Sequence, residues 1–248
     1  MENNKVALVT GGMGGLGTAI CRRLHDAGFK VAATFSPSNP TPEAWMAAQR
    51  DDGYRFMSYK VDVSNYADAE WMMQKLLSEC GRLDVLVNNA GVTRDQTMRN
   101  MEYADWSAVI RANLDSVFNM SKQAIEPMMA QKWGRIINIS SVNGQKGAYG
   151  QANYAAAKAG MHGLTKSLAL ELARHGVTVN TVSPGYLNTK MVQQVPQDIL
   201  VGRILPQIPL GRLGEPREVA ALVAYLASQE AGFVTGANIA INGGQHMS

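Results

Sequence analysis

The 248-residue chain is short of cysteine and aromatic residues, carries little net charge and has no long apolar run. Its two cysteines, Cys21 and Cys80, have no second thiol or histidine at metal-ligand spacing, so neither a disulfide framework nor a bound metal is expected. No apolar stretch approaches the roughly 18 residues of a membrane span, and no membrane association is expected. The net charge of +3 is small, and Lys and Arg alternate with acids along the helical stretches instead of clustering. A nucleic-acid partner is therefore not expected. The opening MENNKVALVTGG runs into a strand almost at once, so no signal peptide is expected and a cytoplasmic location is. One local absence matters more than these: Phe29–Pro42 contains no Asp or Glu.

What is present is a regular alternation. Short β-branched runs at Lys5–Thr10, Lys30–Phe35, Arg55–Val61, Val85–Asn88, Arg135–Ser140, Val177–Ser183 and Asn238–Ile241 read as strands. Amphipathic stretches at Gly15–Ala27, Ala67–Cys80, Tyr103–Met129, Ala152–His175 and Pro216–Ser228 read as helices between them. The strands are continuously apolar, as they must be when helices cover both faces of a parallel sheet. The expected fold is α/β: one Rossmann-type, doubly wound, seven-stranded parallel sheet in a single domain over residues 1–248. Ser36–Thr41 reads as a loop beside a nucleotide ribose. The Pro-, Gln-, Met- and Val-rich stretch after the sixth strand, about residues 186–212, reads as a substrate lid.

The first strand runs into Thr10-Gly11-Gly12-Met13-Gly14-Gly15-Leu16-Gly17 and then a helix. Glycines there permit a tight turn and let backbone N–H groups approach a pyrophosphate at the helix N-terminus. The spacing Gly11, Gly15, Gly17 carries one residue more between its first two glycines than the common G-x-G-x-x-G pattern. NAD recognition usually needs an acid about 20 residues beyond the glycines, bonded to the ribose 2′-hydroxyl. Here that acid is missing, and hydroxyls at Ser36, Ser38 and Thr41 stand in its region, which favours NADPH.

Three more motifs follow in order: Asn88-Asn89-Ala90-Gly91, Tyr154-x-x-x-Lys158 and Ser183-Pro184-Gly185. With the glycine loop they resemble the short-chain dehydrogenase/reductase family over essentially the whole chain, down to Ile241-Asn242-Gly243-Gly244. The resemblance implies a catalytic set of Asn113, Ser141, Tyr154 and Lys158. It also implies that Asp62, with Val63, meets the adenine, and that Asn89, Ala90, Gly91, Pro184 and Gly185 support the cofactor, as Tyr154 and Lys158 do. The chemistry is consistent with the residue types. Tyr154 and Lys158, four apart, share one helix face. A lysine ammonium beside a tyrosine favours phenolate, so it is expected to lower the phenol from its ordinary value near 10 and make it a proton donor to a carbonyl.

Finer runs narrow the branch. Gly11–Gly15, Val92-Thr93-Arg94-Asp95, Ser140–Gly147 and the tail Gly243–Met247 resemble the acetoacetyl-CoA reductases of polyhydroxyalkanoate synthesis. The resemblance implies reduction of acetoacetyl-CoA to (R)-3-hydroxybutyryl-CoA and a homotetramer. The branch commonly carries an arginine near Thr41, which this chain lacks. Candidate substrate residues are Arg94, Ser141, Gln145, Tyr149, Gln151, Tyr154 and Tyr186. Tyr149 and Tyr186 are placed to pack on a short acyl chain or a pantetheine arm, although an aromatic after Pro-Gly can also simply anchor its loop. Two other readings remain open: a carrier-protein 3-oxoacyl reductase, and a non-catalytic NADPH-binding sensor on the same fold.

Overall fold

The computed structural model describes residues 5–189, 192 and 195–247. Seven parallel strands form one sheet in the order β3-β2-β1-β4-β5-β6-β7. They are β1 Val6–Val9, β2 Lys30–Phe35, β3 Phe56–Lys60, β4 Val85–Asn88, β5 Gly134–Ile139, β6 Val177–Pro184 and β7 Asn238–Ile241. Each agrees with the expected run to within about a residue at either end. The order reverses between β1 and β4, and the crevice above the strand C-termini at such a reversal is where doubly wound sheets bind ligands.

Central strands β1, β4, β5 and β6 are buried on both faces. One face packs Met72, Met73, Leu76, Met120, Met128 and Leu168 from the helices Tyr66–Cys80, Ser116–Gln131 and Ala152–Leu172. The other packs Ile20, Leu24, Val219, Val223 and Leu226 from Gly15–Asp26 and Pro216–Ala227. Four of the fourteen methionines, Met72, Met73, Met120 and Met128, thus serve as core filler on the first face.

Three local features differ from expectation. A helix at Pro42–Asp51 follows directly on the presumed loop; Pro42 sits in its first turn, where a missing N–H costs nothing. The long helix expected from Tyr103 is broken by a π turn at Arg111–Asp115, where the Ser116 N–H donates to the Arg111 carbonyl. Finally, Val142–Lys146 forms a short helix directly after β5. Of the expected lid, residues 190, 191, 193 and 194 lie outside the described residues. Its later part winds through Gln197–Ile199, a π turn at Leu200–Ile204 and a 3-10 turn at Leu205–Gln207, with Ile204 and Ile208 buried beneath. No helix among the described residues is long and apolar enough to cross a membrane.

Candidate active site

The glycine loop leaves β1 at the sheet's reversal point and is held from two sides. Gly11 has a φ of +62°, and Gly12 lies so close to β2 that an added Cβ would stand 2.6 Å from the Ala33 Cβ. The Gly11 and Gly12 N–H groups donate to the side chain and carbonyl of Thr34, at 3.2 and 3.0 Å. Across the crevice the Asn89 amide donates to the Thr10 and Gly11 carbonyls, at 2.9 and 3.2 Å. In return the Thr10 hydroxyl accepts from the Asn89 and Ala90 N–H groups, at 2.9 and 3.0 Å. Thr10 is thus a loop-shaping residue that the sequence motifs did not single out. The Gly15–Asp26 helix starts at Gly14 with no side-chain cap and no acid in its first turn, so its N-terminus is suited to an anion.

The region expected to receive the ribose is a small polar turn. Ser36 and Ser38 hydroxyls lie 2.8 Å apart, the Thr41 N–H donates to Asn39 Oδ1, and the Asn39 amide touches the Met13 sulfur at 3.4 Å. Asn39 therefore ties the turn to the glycine loop, a link invisible in the sequence because 26 residues separate the two. Asp62 accepts from the Ser64 N–H and hydroxyl, at 3.0 and 2.7 Å, and the Val63 carbonyl accepts from Asn119. Both stand at the C-terminal end of β3, level with the crevice. A Cβ added at Gly15 would stand 3.6 Å from the Thr189 Cγ2, so the segment after Pro184-Gly185 passes beside the glycine loop.

The four residues of the implied catalytic set come together at the C-terminal ends of β4 and β5. Ser141 caps the Val142–Lys146 helix, its hydroxyl accepting from the Asn143 N–H at 3.1 Å. Tyr154 and Lys158 lie about one turn apart on the Ala152–Leu172 helix, with the Lys158 Nζ 5.5 Å from the Tyr154 ring centroid. Lys158 is buried, and its Nζ donates to the Ile139 carbonyl at 2.8 Å. Asn113 sits in the π turn, fully buried; its amide N–H groups donate to the Val92 and Val109 carbonyls, at 2.8 and 2.9 Å. Its Oδ1 has no partner and faces Gly91, whose missing Cβ leaves room for that oxygen and for the Lys158 Nζ nearby. π turns break helical spacing and often mark functional sites. This one aims a buried acceptor at the crevice.

The electrostatics differ from expectation in one respect. Burial pushes the Tyr154 phenol above its ordinary value; the Ser141 hydroxyl pulls it down by hydrogen bonding, and the Asp95 carboxylate pushes it up. The expected lowering by Lys158 is absent, since burial brings the lysine itself down to about 7 and it is no longer a full cation at neutral pH. Because folded Lys158 holds its proton more weakly than the unfolded chain does, stability from this group rises as pH increases from about 7 to 10.5. Thermal melts across that interval should show a rise that a Lys158→Met variant lacks. Identical slopes would mean that the amine stays charged in the fold.

The expected substrate residues divide. Gln151 is bonded into the site: its Nε2 donates to Asp95 at 2.7 Å, and its Oε1 accepts from the Asn143 amide at 2.8 Å. Asp95 and Asn143 thus join a chain of bonds that ends on Ser141 and that the sequence reading did not contain. Gln145 adds a buried Oε1 with no partner. Arg94 is exposed, and its carbonyl accepts from the buried Asn153 amide at 3.0 Å. Tyr149 is 94% exposed, because it stands in a loop whose Gly147 and Gly150 turn through positive φ and carry it outward. It walls no pocket. Tyr186 is half-buried and lines a cavity of about 90 Å³ with Leu187, Ile208, Leu210 and Ile241. Lys146 reaches Gln207 at 3.4 Å, so the 205–207 turn rests on the short helix after Ser141.

A parallel sheet with an uncapped helix N-terminus at its reversal point, and a tyrosine and a buried lysine on one helix beside it, defines a nucleotide-dependent oxidoreductase site. The model of the short chain dehydrogenase family matches residues 5–200, and the chain belongs to that family of oxidoreductases, which use NAD or NADP. It is 52% identical over 243 residues to the acetoacetyl-CoA reductase of Cupriavidus necator, covering 98% of each chain. It is 49% identical to the acetoacetyl-CoA reductase of Allochromatium vinosum, over 98% of this chain and 99% of that one. To the 3-oxoacyl-acyl-carrier-protein reductase of Vibrio cholerae it is 44% identical, over 98% of each.

Proposed function

We propose that the protein is an NADPH-dependent acetoacetyl-CoA reductase that forms (R)-3-hydroxybutyryl-CoA for polyhydroxybutyrate synthesis. The observation that carries this reading is the convergence of Ser141, Tyr154, Lys158 and the orphaned Asn113 Oδ1 beside the glycine loop, in a chain so similar to proteins of that activity. The cradle fits a dinucleotide. Gly11, Gly12, Met13, Gly14, Gly15, Leu16 and Gly17 would hold the pyrophosphate, Ser36, Ser38 and Thr41 the 2′-phosphate, Asp62 and Val63 the adenine. Asn89, Ala90, Gly91, Pro184 and Gly185 would flank the nicotinamide half.

Bound NADPH would supply a hydride to the ketone carbon. The protein's own groups handle the oxygen. Ser141 Oγ donates to the ketone oxygen and orients it, while the Tyr154 Oη proton passes to that oxygen as negative charge builds there. Burial keeps the phenol protonated until this moment, when the developing oxyanion is the stronger base. Lys158 then stabilises the phenolate, and the Asn113 Oδ1 accepts from a water that returns the proton through Lys158. Gln151, fixed between Asp95 and Asn143, holds the thioester arm at the mouth, with Arg94, Gln145 and Tyr186 around it.

We further read the protein as a cytoplasmic homotetramer with a lid over residues 186–212. Tyr103, Phe118 and Leu170, exposed on the Tyr103–Ile110, Ser116–Gln131 and Ala152–Leu172 helices, support self-association.

Following NADPH absorbance with acetoacetyl-CoA, beside acetoacetyl-carrier protein and an NADH control, tests the reading. Faster turnover of the CoA ester with NADPH is expected; a preference for the carrier-bound ester would make it a fatty-acid-synthesis reductase. A Ser36→Asp variant should move preference toward NADH, since a carboxylate repels a 2′-phosphate and bonds a 2′-hydroxyl. Unchanged selectivity would place the phosphate elsewhere.

A further inference from the structure

Ser140 follows the last residue of β5, immediately before Ser141, and is buried. Its hydroxyl lies 2.8 Å from the Lys158 carbonyl oxygen and 3.0 Å from Nε2 of His162. A hydroxyl has one proton and a carbonyl can only accept, so the Ser140 proton is committed to Lys158. The contact with His162 is then a hydrogen bond only if Nε2 carries a hydrogen and donates to a Ser140 lone pair. Were Nε2 the bare nitrogen, two acceptors would compete for one proton, and the hydroxyl could turn away from Lys158.

The joint around this hydroxyl is reciprocal. Ser140 donates to the Lys158 backbone, while the Lys158 amine donates to the carbonyl of Ile139, the neighbour of Ser140. His162 is four residues beyond Lys158, so it stands on the same helix face, toward β5. The ring is half-buried; burial and the nearby Lys166 favour its neutral form.

We propose that His162 is a positioning residue, whose Nε2–H locks the Ser140 hydroxyl onto Lys158 and so sets the spacing of Ser141 and Lys158 across the strand–helix seam. This rests on the roles assigned above to Ser141 and Lys158. It assigns His162 no contact with substrate or cofactor.

The test has a spectroscopic arm and a kinetic arm. In the resting protein, the ¹⁵N spectrum of His162, assigned by comparison with His162→Gln, should show a protonated Nε2 and a bare Nδ1. The opposite tautomer overturns the proposal. With acetoacetyl-CoA and NADPH, His162→Leu should lower kcat about tenfold with both KM values within about twofold, as small misplacements of catalytic groups do. His162→Gln, which restores a donor near the position of Nε2, should recover most of that loss, and a Ser140→Ala/His162→Leu double variant should be no slower than Ser140→Ala. A normal kcat in His162→Leu, equal loss in the Gln and Leu variants, or additive losses in the double variant each overturn it. Wild-type protein inactive on acetoacetyl-CoA would strike the substrate reading instead, and the tautomer would still decide the role of His162.

Discussion

Replacing Tyr154 by phenylalanine is expected to lower turnover by roughly two to four orders of magnitude, the usual worth of a positioned proton donor, while NADPH binding persists. The ring and its packing survive the change; only the Oη proton is lost. Ser141 would still hold the ketone oxygen, but the charge that develops on it would have no proton within reach. In the proposed mechanism Lys158 reaches the ketone oxygen only through the Tyr154 Oη, so its amine does not replace the lost proton. Single-turnover rates with acetoacetyl-CoA, alongside NADPH binding by fluorescence, separate the two effects. Near-normal turnover would show that Tyr154 is not the acid.

The second large effect is expected at Gly17. A Cβ there would strike the Gly11 carbonyl oxygen and stand 2.8 Å from the Gly12 Cα and 3.0 Å from the Asn89 amide nitrogen. The first two are backbone of the loop itself, which cannot rotate out of the way as a side chain can. Gly17→Ala should therefore push the loop off the helix and cost affinity for NADPH. Overpacking of this kind typically costs about 1–3 kcal/mol, or roughly 5- to 150-fold in Kd. The circular dichroism spectrum should stay that of the wild type, because the helix itself tolerates alanine. Unchanged Kd would mean that the pyrophosphate does not rest on this loop.

These two residues illustrate what could be read in advance. Tyr154, Lys158 and the glycines are legible because their partners are near in sequence: four residues on one helix face, or seven in one turn. The seven strands were legible because short runs rich in β-branched, aromatic and other apolar residues, bounded by glycine and polar residues, have few alternatives. The Pro42–Asp51 helix was missed because the prolines before and within it read as loop, although a proline in the first helical turn is compatible with the helix. The π turn at Arg111–Asp115 leaves no mark on a 3.6-residue pattern. Asp95, Asn143, Asn39, Ser140 and His162 were missed for one shared reason. Each acts through a hydrogen bond to a residue distant in the chain or hidden inside a motif already assigned to something else.

By itself the sequence determined the parallel α/β fold and the family, and it named the residues proposed above to handle the proton. Hydrophobic periodicity and local spacing are properties of the covalent chain, and they survive without coordinates. Only the tertiary structure decided the protonation energetics and the geometry at the mouth. Tyr154 is raised and not lowered because burial outweighs its hydrogen bond to Ser141. Lys158 falls to about 7 because the β5 seam excludes water around it. Tyr149 faces solvent because two left-handed glycines turn its loop outward. Desolvation and direction depend on which distant segments close over a side chain, and that closure exists only once the sheet has assembled.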